Sequence, residues 1–459
     1  MADLVEALRQ AARRWPGRIA WTFDPGRRYT FAEIDDLSSG YAQTLRDNGI
    51  RAGDRVAVLL RNVPEFPLTW FALMKLGATM VPVNVRYRAV DADHLLRSSG
   101  VVAAVSTEEF RPLLESVGAP NTHYDLTPTP GFVQEDVTAP ANVQYTSGTT
   151  GKPKGCVLSH EYWLTLARSL VDHFPRLTEH DVMLTAQPFH YIDPQWNVVA
   201  ALLAGAELVV LDGFHPSVFW AKVREHRVTY FYCLGAMPAL LLRMPPDPSD
   251  RDHRVRVVQA SGIPPALHRE LEERWGVGWF EAFGMTETGA DIRITDADHD
   301  EFVGTGCLGL PAAHREAKVV DGELWLRGPG MMDGYDGLPD VFPDGWFRTG
   351  DLARIDDGRV YLQGRTKDVI RRSGENVAAH EVEEVLLSHP LVRLAAVVGV
   401  PDELRGEEVK AFVVGDVTAP ELEEFCADRL ASFKVPRFWE FRDDLPRTPS
   451  ERVAKELLR

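Results

Sequence analysis

The chain has 459 residues, of which 45% are apolar and 25% charged, as is typical of a globular protein with more than one domain. Its formal net charge of −17 argues against nucleic acid or an anionic membrane surface as a main partner. The four cysteines lie far apart without Cys-x-x-Cys spacing, which favours free thiols in a reducing compartment over a disulfide framework or a zinc site.

Targeting and membrane segments are not expected. The N-terminal sequence MADLVEALRQAARRW mixes charged and apolar residues at helical spacing, which is not the pattern of a signal peptide. The most apolar stretch, residues 198–211, contains Gly205 and Glu207 and is shorter than the roughly 18 residues that a membrane span needs. We therefore expect a soluble, cytoplasmic protein with no membrane partner.

Helical and strand patterns alternate along the first part of the chain. FAEIDDLSSGYAQTLRDNG, residues 31–49, spaces its apolar side chains as an amphipathic helix that ends at glycine, and the buried strand DRVAVLL follows. Helix EFPLTWFALMKLGA and strand TMVPVN repeat the order, and the strands in RVTYFYCLG and RVRVVQASG continue it. Such repetition predicts parallel or mixed sheets covered by helices.

The pattern changes near Gly304. AKVVDGELWLRGPG and GRVYLQGR indicate short strands with Asp-Gly turns, which predict an antiparallel ribbon. After Arg365, helix AAHEVEEVLLSHP, strands LAAVVGV and KAFVVG, and helix ELEEFCADRL indicate a small α+β domain. The predicted fold is therefore α/β, with a large N-terminal domain over residues 1–364 and a small mobile domain over residues 366–459.

A glycine- and hydroxyl-rich segment, YTSGTTGKPKG at residues 145–155, is typical of a phosphate-binding loop. Glycines let backbone N–H groups turn toward an anion, while hydroxyl and lysine side chains add donors and positive charge. The segment is not a Walker A loop, because only two residues separate Gly148 from Gly151 and Pro153 follows Lys152. Taken alone, the run is also compatible with an ordinary surface loop.

The whole string closely resembles the phosphate loop of the adenylate-forming superfamily, which contains acyl-CoA synthetases, aryl-CoA ligases, nonribosomal-peptide adenylation domains and firefly luciferase. The resemblance covers nearly the whole chain, with the segments in family order. It implies binding of ATP, AMP or an acyl-adenylate, together with Mg²⁺ and coenzyme A. In this loop it implies nucleotide contacts from Thr146, Ser147, Gly148, Thr149, Thr150, Gly151 and Lys152.

A second segment, FGMTETG, resembles the family's Tyr-Gly-x-Thr-Glu sequence. The resemblance implies that Thr286 contacts phosphate and that Glu287 is the magnesium ligand, and a carboxylate is a hard oxygen donor that Mg²⁺ prefers. Phe283, followed by Gly284, stands where the family usually has Tyr against the adenine. The replacement keeps the stacking surface and removes a hydroxyl.

Three further segments imply contacts to the nucleoside and a hinge. QASGIPP resembles the adenine-binding segment, with Ser261 and Gly262 facing the base. GWFRTGDLA and GRTKD supply Asp351 and Arg365, which in the family hold the ribose hydroxyls as acceptor and donor. Lys367 matches the hinge about which the small domain turns between an adenylating and a thioester-forming arrangement. A solvated charge in a linker is the simpler alternative for Lys367.

Two more positions matter for the acyl group and the thiol. RRSGENVAAHEVEEVL resembles the block in which a glycine, here Gly374, lets the backbone approach the pantetheine arm of coenzyme A. His190, in QPFHY, stands where the family places a gate residue near the carboxylate tunnel. Amino-acid-activating members usually have Asp there to meet an α-ammonium, so His190 weighs against amino acid substrates. A helix-start glycine for Gly374 and a core or surface histidine for His190 are the simpler alternatives.

The chain ends in LPRTPSERVAKELLR, which resembles the family's Pro-Arg-Thr-x-x-Gly-Lys pattern. Pro446, Arg447 and Thr448 match, whereas Glu451 replaces the glycine and Arg452 replaces the lysine. The resemblance implies that this lysine touches the substrate carboxylate and an α-phosphate oxygen during adenylation. Such charge stabilisation is typically worth roughly 10²–10³ in rate. Arginine keeps the charge but not the compact shape of an ammonium.

Arg452 has two interpretations. Only nine of the fifty basic residues are lysine, so arginine here is compatible with drift at a tolerant site. The chain nevertheless keeps Lys152, Lys154 and Lys367 at family lysine positions, which favours a functional departure. Lys455 cannot simply substitute, because three residues of helical turn displace it by about 4.5 Å.

We therefore predict an acyl-CoA ligase-type enzyme that makes a CoA thioester through an acyl-adenylate, with adenylation impaired and thioesterification kept. A separate adenylating enzyme would then supply its substrate. The alternatives are a complete ATP-dependent acyl-CoA synthetase, a ligase that loads a carrier protein, and a non-catalytic adenylate-binding protein. Retention of Glu287, Asp351 and Arg365 argues against the last of these. The sequence does not name the acid, although HYIDPQW indicates an aromatic-lined pocket.

Overall fold

The computed structural model describes residues 3–131, 139–146, 153–372, 375–402, 404–447 and 453–458. The α-helices within these residues are numbered in chain order. They are α1 (Leu4–Arg14), α2 (Phe31–Asp47), α3 (Glu65–Lys75), α4 (Ala89–Ser99), α5 (Arg111–Ser116), α6 (His160–Val171), α7 (Ile192–Ala204), α8 (Pro216–Glu225), α9 (Met237–Leu242), α10 (Pro265–Trp275), α11 (His299–Phe302), α12 (Ala379–Leu387) and α13 (Ala419–Ala427).

The strands are numbered in the same way. They are β1 (Ile19–Asp24), β2 (Arg28–Thr30), β3 (Arg55–Leu59), β4 (Thr79–Pro82), β5 (Ala103–Ser106), β6 (Thr122–Tyr124), β7 (Asn142–Thr146), β8 (Lys154–Leu158), β9 (Val182–Thr185), β10 (Glu207–Leu211), β11 (Tyr230–Leu234), β12 (Val257–Ser261), β13 (Trp279–Met285), β14 (Gly289–Arg293), β15 (Cys307–Pro311), β16 (Glu316–Val320), β17 (Glu323–Arg327), β18 (Gly334–Tyr335), β19 (Phe347–Asp356), β20 (Arg359–Arg365), β21 (Val369–Arg372), β22 (Glu375–Ala378), β23 (Val392–Asp402), β24 (Gly406–Gly415) and β25 (Phe438–Phe441).

Local signals in the sequence account for where several of these elements begin and turn. The predicted helix over residues 31–49 is α2, and it begins with a capping box. The Thr30 hydroxyl accepts the Glu33 N–H, and the Glu33 carboxylate accepts the Thr30 N–H. The predicted hairpin is β16–β17, whose turn residues Asp321 and Gly322 have φ of 51° and 83°. Positive φ at both positions is what a two-residue hairpin turn of type I′ requires.

The largest sheet has thirteen strands in the order β16-β17-β19-β20-β15-β14-β13-β12-β11-β9-β10-β1-β2. Pairing from β1 through β10, β9, β11 and β12 to β13 is parallel, and pairing from β13 to β16 is antiparallel. The predicted ribbon therefore extends this sheet, and antiparallel pairing begins well before Gly304. The cause is the short β13–β14 connection, which cannot make the long crossover that parallel strands need.

A second sheet has seven strands in the order β18-β8-β7-β4-β3-β5-β6. Alternate residues of β3 enter two different apolar clusters, with Val56 and Val58 in one and Ala57 and Leu59 in the other. The strand is thus buried on both faces, as expected for a parallel sheet between helical layers. The predicted helix-covered sheets are confirmed.

A third, five-stranded sheet is built from residues after Thr366. Its order is β22-β21-β24-β23, and β25 pairs with β24 in parallel. Helices α12 and α13 pack on one face of it, around Val382 and Leu422. This is the α+β arrangement predicted for the end of the chain. In the described part of the chain, no helix is both long and apolar enough to cross a membrane.

Candidate active site

A cavity of about 1180 Å³ lies at the carboxyl ends of β11, β12 and β13, between the large sheet and the C-terminal sheet. In helix-covered parallel sheets, the loops that follow the strands converge at this edge and form ligand sites. Side chains from both parts of the molecule line the cavity, including Thr286 and Asp351 on one side and His380 and Lys455 on the other. The site is therefore a cleft with two different walls.

The first implied phosphate contact, Thr146, lies at this cavity. It ends β7 and pairs with Lys154, the first residue of β8, and both line the cavity. Of the seven residues that connect them, the six from Ser147 to Lys152, namely Ser147, Gly148, Thr149, Thr150, Gly151 and Lys152, lie outside the described residues. The described ends of this hairpin, Thr146 and Lys154, both lie at the cavity wall.

The implied adenine contacts come from two neighbouring strands. Ser261 ends β12 and Gly262 follows it with φ of 85°, a conformation that glycine adopts without strain. The Ser261 hydroxyl donates to the Ala282 carbonyl on β13, and Phe283 comes next on that strand. Ser261, Gly262, Phe283 and Gly284 all line the cavity. The structure thus brings the two segments together as one wall.

The implied metal ligand, Glu287, follows β13 beside Thr286. Its side chain is largely buried, and its Oε1 accepts the Tyr335 hydroxyl at 2.8 Å. Both Glu287 and Tyr335 line the cavity. The hydrogen bond holds one carboxylate oxygen in place, so the carboxylate has a fixed orientation at the cavity wall.

The implied ribose contacts, Asp351 and Arg365, are paired directly across β19 and β20. Arg365 Nε donates to Asp351 Oδ1 at 2.8 Å, and both residues line the cavity. An acceptor and a donor are therefore held side by side by strand register. A pair of ribose hydroxyls offers the complementary groups.

His190 does not lie in the cavity wall, whereas its neighbour Tyr191 does. The His190 side chain is 3% exposed, and neither ring nitrogen has a hydrogen-bond partner among the described residues. Burial, with a smaller contribution from Arg86, lowers the pKa of His190 to about 3. The ring is thus neutral at physiological pH and packs in the protein interior in this arrangement.

Three other predicted positions lie wholly or partly beyond what the structure describes. Gly374 and Arg452 are outside the described residues. Lys367 belongs to a 3-10 turn, Thr366–Asp368, but its side chain is not among those described. The residues just after Arg452 are described, and Val453, Ala454, Lys455 and Glu456 all line the cavity.

The small-domain wall of the cavity is rich in charge. Lys455 Nζ lies 2.7 Å from Glu383 Oε1, which also accepts the Val397 N–H at 2.6 Å. Burial raises the pKa of Glu383, and the Lys455 ammonium opposes that rise. Lys455 is therefore held in an ion pair on α12. Across the cleft, Arg243 donates to the backbone carbonyls of Val392 and Arg393.

The residues fit a magnesium–phosphate complex better than an all-protein metal cage. Mg²⁺ usually takes one or two carboxylates and completes its shell with water and phosphate oxygens, and Glu287 supplies one such carboxylate. Among the described residues, the one group of three close His, Asp or Glu side chains is Asp24, Glu225 and His226, which do not line the cavity. Lys222 Nζ already pairs with two of them.

Two further residues of the wall, Tyr335 and Glu281, were not predicted from the sequence. Tyr335 sits in GYDG, which carries no signal for contact with a carboxylate nearly fifty residues earlier. Glu281 had a usable signal, because it is the one charge in the apolar strand WFEAFGM. A lone carboxylate in a buried strand requires partners.

The family assignment rests on both parts of this arrangement. The family model described as AMP-binding enzyme matches residues 8–336, which is more than half of the chain. The protein belongs to the AMP-binding enzyme family. The model described as AMP-binding enzyme C-terminal domain matches residues 381–452. The resemblance to the adenylate-forming superfamily is thereby confirmed.

Individual relatives of this AMP-binding enzyme are acyl-CoA ligases. Crotonobetaine/carnitine–CoA ligase of Salmonella paratyphi A is 32% identical over 490 residues, covering 94% of this chain and 93% of that protein. O-succinylbenzoate CoA synthetase of Bacillus subtilis, in complex with its acyl-adenylate intermediate, has a TM-score of 0.89 at 29% identity and covers 99% and 97% of the two chains.

The same Bacillus subtilis enzyme has also been solved with ATP and a magnesium ion. That structure has a TM-score of 0.89 and 30% identity, with coverage of 98% of each chain. The predicted fold and enzyme class are both confirmed by these likenesses. The AMP-binding enzyme is an acid–thiol ligase of the AMP-forming acyl-CoA ligase family.

Proposed function

We propose that this AMP-binding enzyme forms the CoA thioester of a carboxylic acid in two half-reactions, and that the first is slow while the second is kept. In the first, a carboxylate oxygen attacks the α-phosphorus of ATP and pyrophosphate leaves. In the second, the CoA sulfur attacks the acyl carbon and AMP leaves. Both relatives named above are CoA ligases, and one of them is seen with an acyl-adenylate.

The observation that supports a nucleotide in the cleft is the convergence of four kinds of group on one cavity. Phe283 offers a flat surface for adenine beside Ser261 and Gly262, and the paired Asp351 and Arg365 offer an acceptor and a donor for ribose. We assign the phosphates to residues 146–152 together with Thr286. Magnesium held by Glu287 would neutralise charge on the phosphate oxygens.

The small domain, residues 366–459, would act in two orientations by turning at Lys367. In one, the terminal segment faces the acyl and phosphate groups, which agrees with the position of Val453 and Lys455 in the cavity wall. In the other, the backbone at Gly374 would accommodate the pantetheine arm of coenzyme A. His190 would serve as a gate to the acyl site only after its ring leaves the buried position.

The first half-reaction would be slow because of Arg452. A planar guanidinium is larger than an ammonium and is a poor replacement for a compact point charge between carboxylate and phosphate. The next cation along the chain, Lys455, is already neutralised by Glu383 at 2.7 Å. Its engagement supports the interpretation that no second lysine replaces the missing one.

The test compares the two half-reactions in the same preparation. Thioester and AMP are measured once with acid, ATP and coenzyme A, and once with a synthetic acyl-adenylate and coenzyme A. The wild type should use the adenylate faster by roughly 10²-fold, the scale of one lost charge-stabilising group. Arg452→Lys should raise the ATP-dependent rate and leave the adenylate-dependent rate nearly unchanged.

Arg442→Lys is the matched control. Arg442 lies just after β25 and pairs with Glu440 on the surface, so the same exchange there should change neither rate. Equal wild-type rates in the two regimes would mean that the enzyme is a complete ATP-dependent synthetase and that Arg452 is neutral. Transfer to a carrier protein in preference to coenzyme A would instead identify the second alternative.

A further inference from the structure

The cleft contains a buried carboxyl group that none of the roles above uses. Glu281 lies on β13, two residues before Phe283, and its side chain is 5% exposed. A carboxyl group in such a place is costly unless its oxygens are hydrogen-bonded. Burial raises the pKa of Glu281 to about 8, against the opposing effect of backbone N–H groups.

The partners of Glu281 identify the segment that it serves. Ile263 N donates to Oε1 at 2.9 Å, and Gly262 N donates to Oε2 at 3.3 Å. Both donors belong to the connection between β12 and α10, directly after Ser261. One side chain thus accepts two consecutive backbone N–H groups of the segment assigned to the adenine.

Packing acts mainly at one end of this segment, where the Ile263 side chain is buried in an apolar cluster. Gly262 has φ of 85° and has open space where a Cβ would lie, so side-chain packing does not fix it. Pro264 has no N–H and ends the connection at the start of α10. The Ser261 hydroxyl ties the beginning of the segment to Ala282, and the Glu281 carboxyl ties the middle.

We propose that Glu281 is a positioning residue for adenine binding: it holds residues 261–263 at a set distance from Phe283. The inference rests on the proposed function, because that function assigns the adenine to these two segments. β13 carries both Glu281 and Phe283, so the strand sets the separation between the carboxyl group and the aromatic ring. A base that fits between the two segments is then bound without a prior rearrangement of the loop.

The experiment measures AMP binding by calorimetry and the KM values for ATP and coenzyme A by steady-state assay. Glu281→Ala should weaken AMP binding and raise the KM for ATP by at least about tenfold, the equivalent of losing one or two buried hydrogen bonds. The KM for coenzyme A and kcat at saturating ATP should stay within about twofold. Glu281→Gln keeps one oxygen acceptor, for the shorter bond from Ile263 N, and replaces the other by an NH2 group that cannot accept, so it should recover part of the affinity.

Asp181→Asn is the matched control. Asp181 is also a buried carboxylate that accepts a backbone N–H, from Thr178, and it pairs with Arg256 away from the cavity. The control should lower thermal stability without changing AMP affinity. If Glu281→Ala does not fold, Glu281→Asp keeps both acceptor oxygens but withdraws them by one methylene from the Gly262 and Ile263 N–H groups, and should give the same selective rise in KM for ATP.

The outcomes separate this inference from the proposed function. Wild-type AMP affinity in Glu281→Ala, an equal loss of coenzyme A affinity, or no recovery in Glu281→Gln would overturn the positioning role. A selective loss of AMP affinity in a protein that forms no thioester would support the positioning role and reject the proposed function. Wild-type protein that does not bind AMP would reject both.

Discussion

The two walls of the cleft are built by different means. On the sheet wall, strand register and hydrogen bonds between neighbouring strands and their loops hold the groups, as with Arg365 on Asp351 and the Gly262 N–H on Glu281. On the small-domain wall, ion pairs such as Lys455 with Glu383 hold the side chains within that domain, and Arg243 is one of the contacts across the cleft. On this basis we propose a division of work, in which the sheet wall binds nucleotide in both half-reactions and the small-domain wall changes between them.

The largest expected effect comes from the sheet wall. Glu287→Gln should lower ATP-dependent turnover at limiting Mg²⁺ by roughly 10²–10³-fold, because it removes an anionic ligand from a hard cation while leaving an oxygen for Tyr335. Thioester formation from a supplied acyl-adenylate should change little. The measurement is pyrophosphate and thioester release across a magnesium titration.

Glu316→Gln is the control for that substitution. Glu316 lies exposed on β16, where it pairs with Arg327 of β17, and should tolerate the exchange. Full turnover of Glu287→Gln at limiting Mg²⁺ would remove Glu287 from the metal site. It would also weaken the idea that the sheet wall carries the nucleotide chemistry.

The next largest effect on activity should come from the small domain. It should slow thioester formation, the step that Glu287→Gln spares. Gly374→Trp is expected to slow thioester formation from acyl-adenylate by about 10²-fold, since bulk beside the pantetheine path misplaces the reacting sulfur. Adenylate binding should be retained. The measurements are thioester formation and calorimetric binding of the same acyl-adenylate.

Leu404→Trp places the same bulk at an exposed position of the small domain and should leave both properties unchanged. If Gly374→Trp loses adenylate affinity and thioester formation to the same degree, the damage is general. The proposed division of work between the sheet wall and the small-domain wall would then be wrong.

The smallest effect on activity is expected behind the sheet wall, at Glu272 on α10. Burial alone would raise the pKa of this carboxyl, but His268, His299 and the Trp279 N–H together lower it to about 2. A carboxyl whose pKa is lower in the folded protein adds stability above its ordinary pKa of 4.5. That stability disappears as the pH falls through 2.

Glu272→Gln should therefore lower the free energy of unfolding at pH 7 by up to about 3 kcal/mol, with little change in rate. The deficit should shrink as the pH falls below 4.5, which urea unfolding at pH 7, 5 and 4 can measure. Glu281 offers the reverse case: its raised pKa favours the folded state at low pH, and this contribution is lost as the pH rises through about 8. A pH-independent deficit in Glu272→Gln would contradict the assignment.

The sequence alone determined the elements and motifs whose chemistry is local. Helix α2 followed from apolar spacing and a terminal glycine, and the β16–β17 turn followed from Asp321-Gly322, because neighbouring residues settle both. The family segments placed Thr286, Glu287, Asp351 and Arg365 in one functional set. The family assignment and the α/β fold were predictable because the motif segments and the helix and strand patterns are each local in sequence.

Only the tertiary structure decided which groups meet. It joined the antiparallel strands to the large sheet, put the His190 ring in the interior, paired Lys455 with Glu383, and turned Glu281 toward the Gly262 N–H. Each of these depends on strand order, or on burial by residues distant in the chain. Local sequence preference carries no information about such partners, because hydrogen bonds and desolvation act between atoms that only the folded chain brings together.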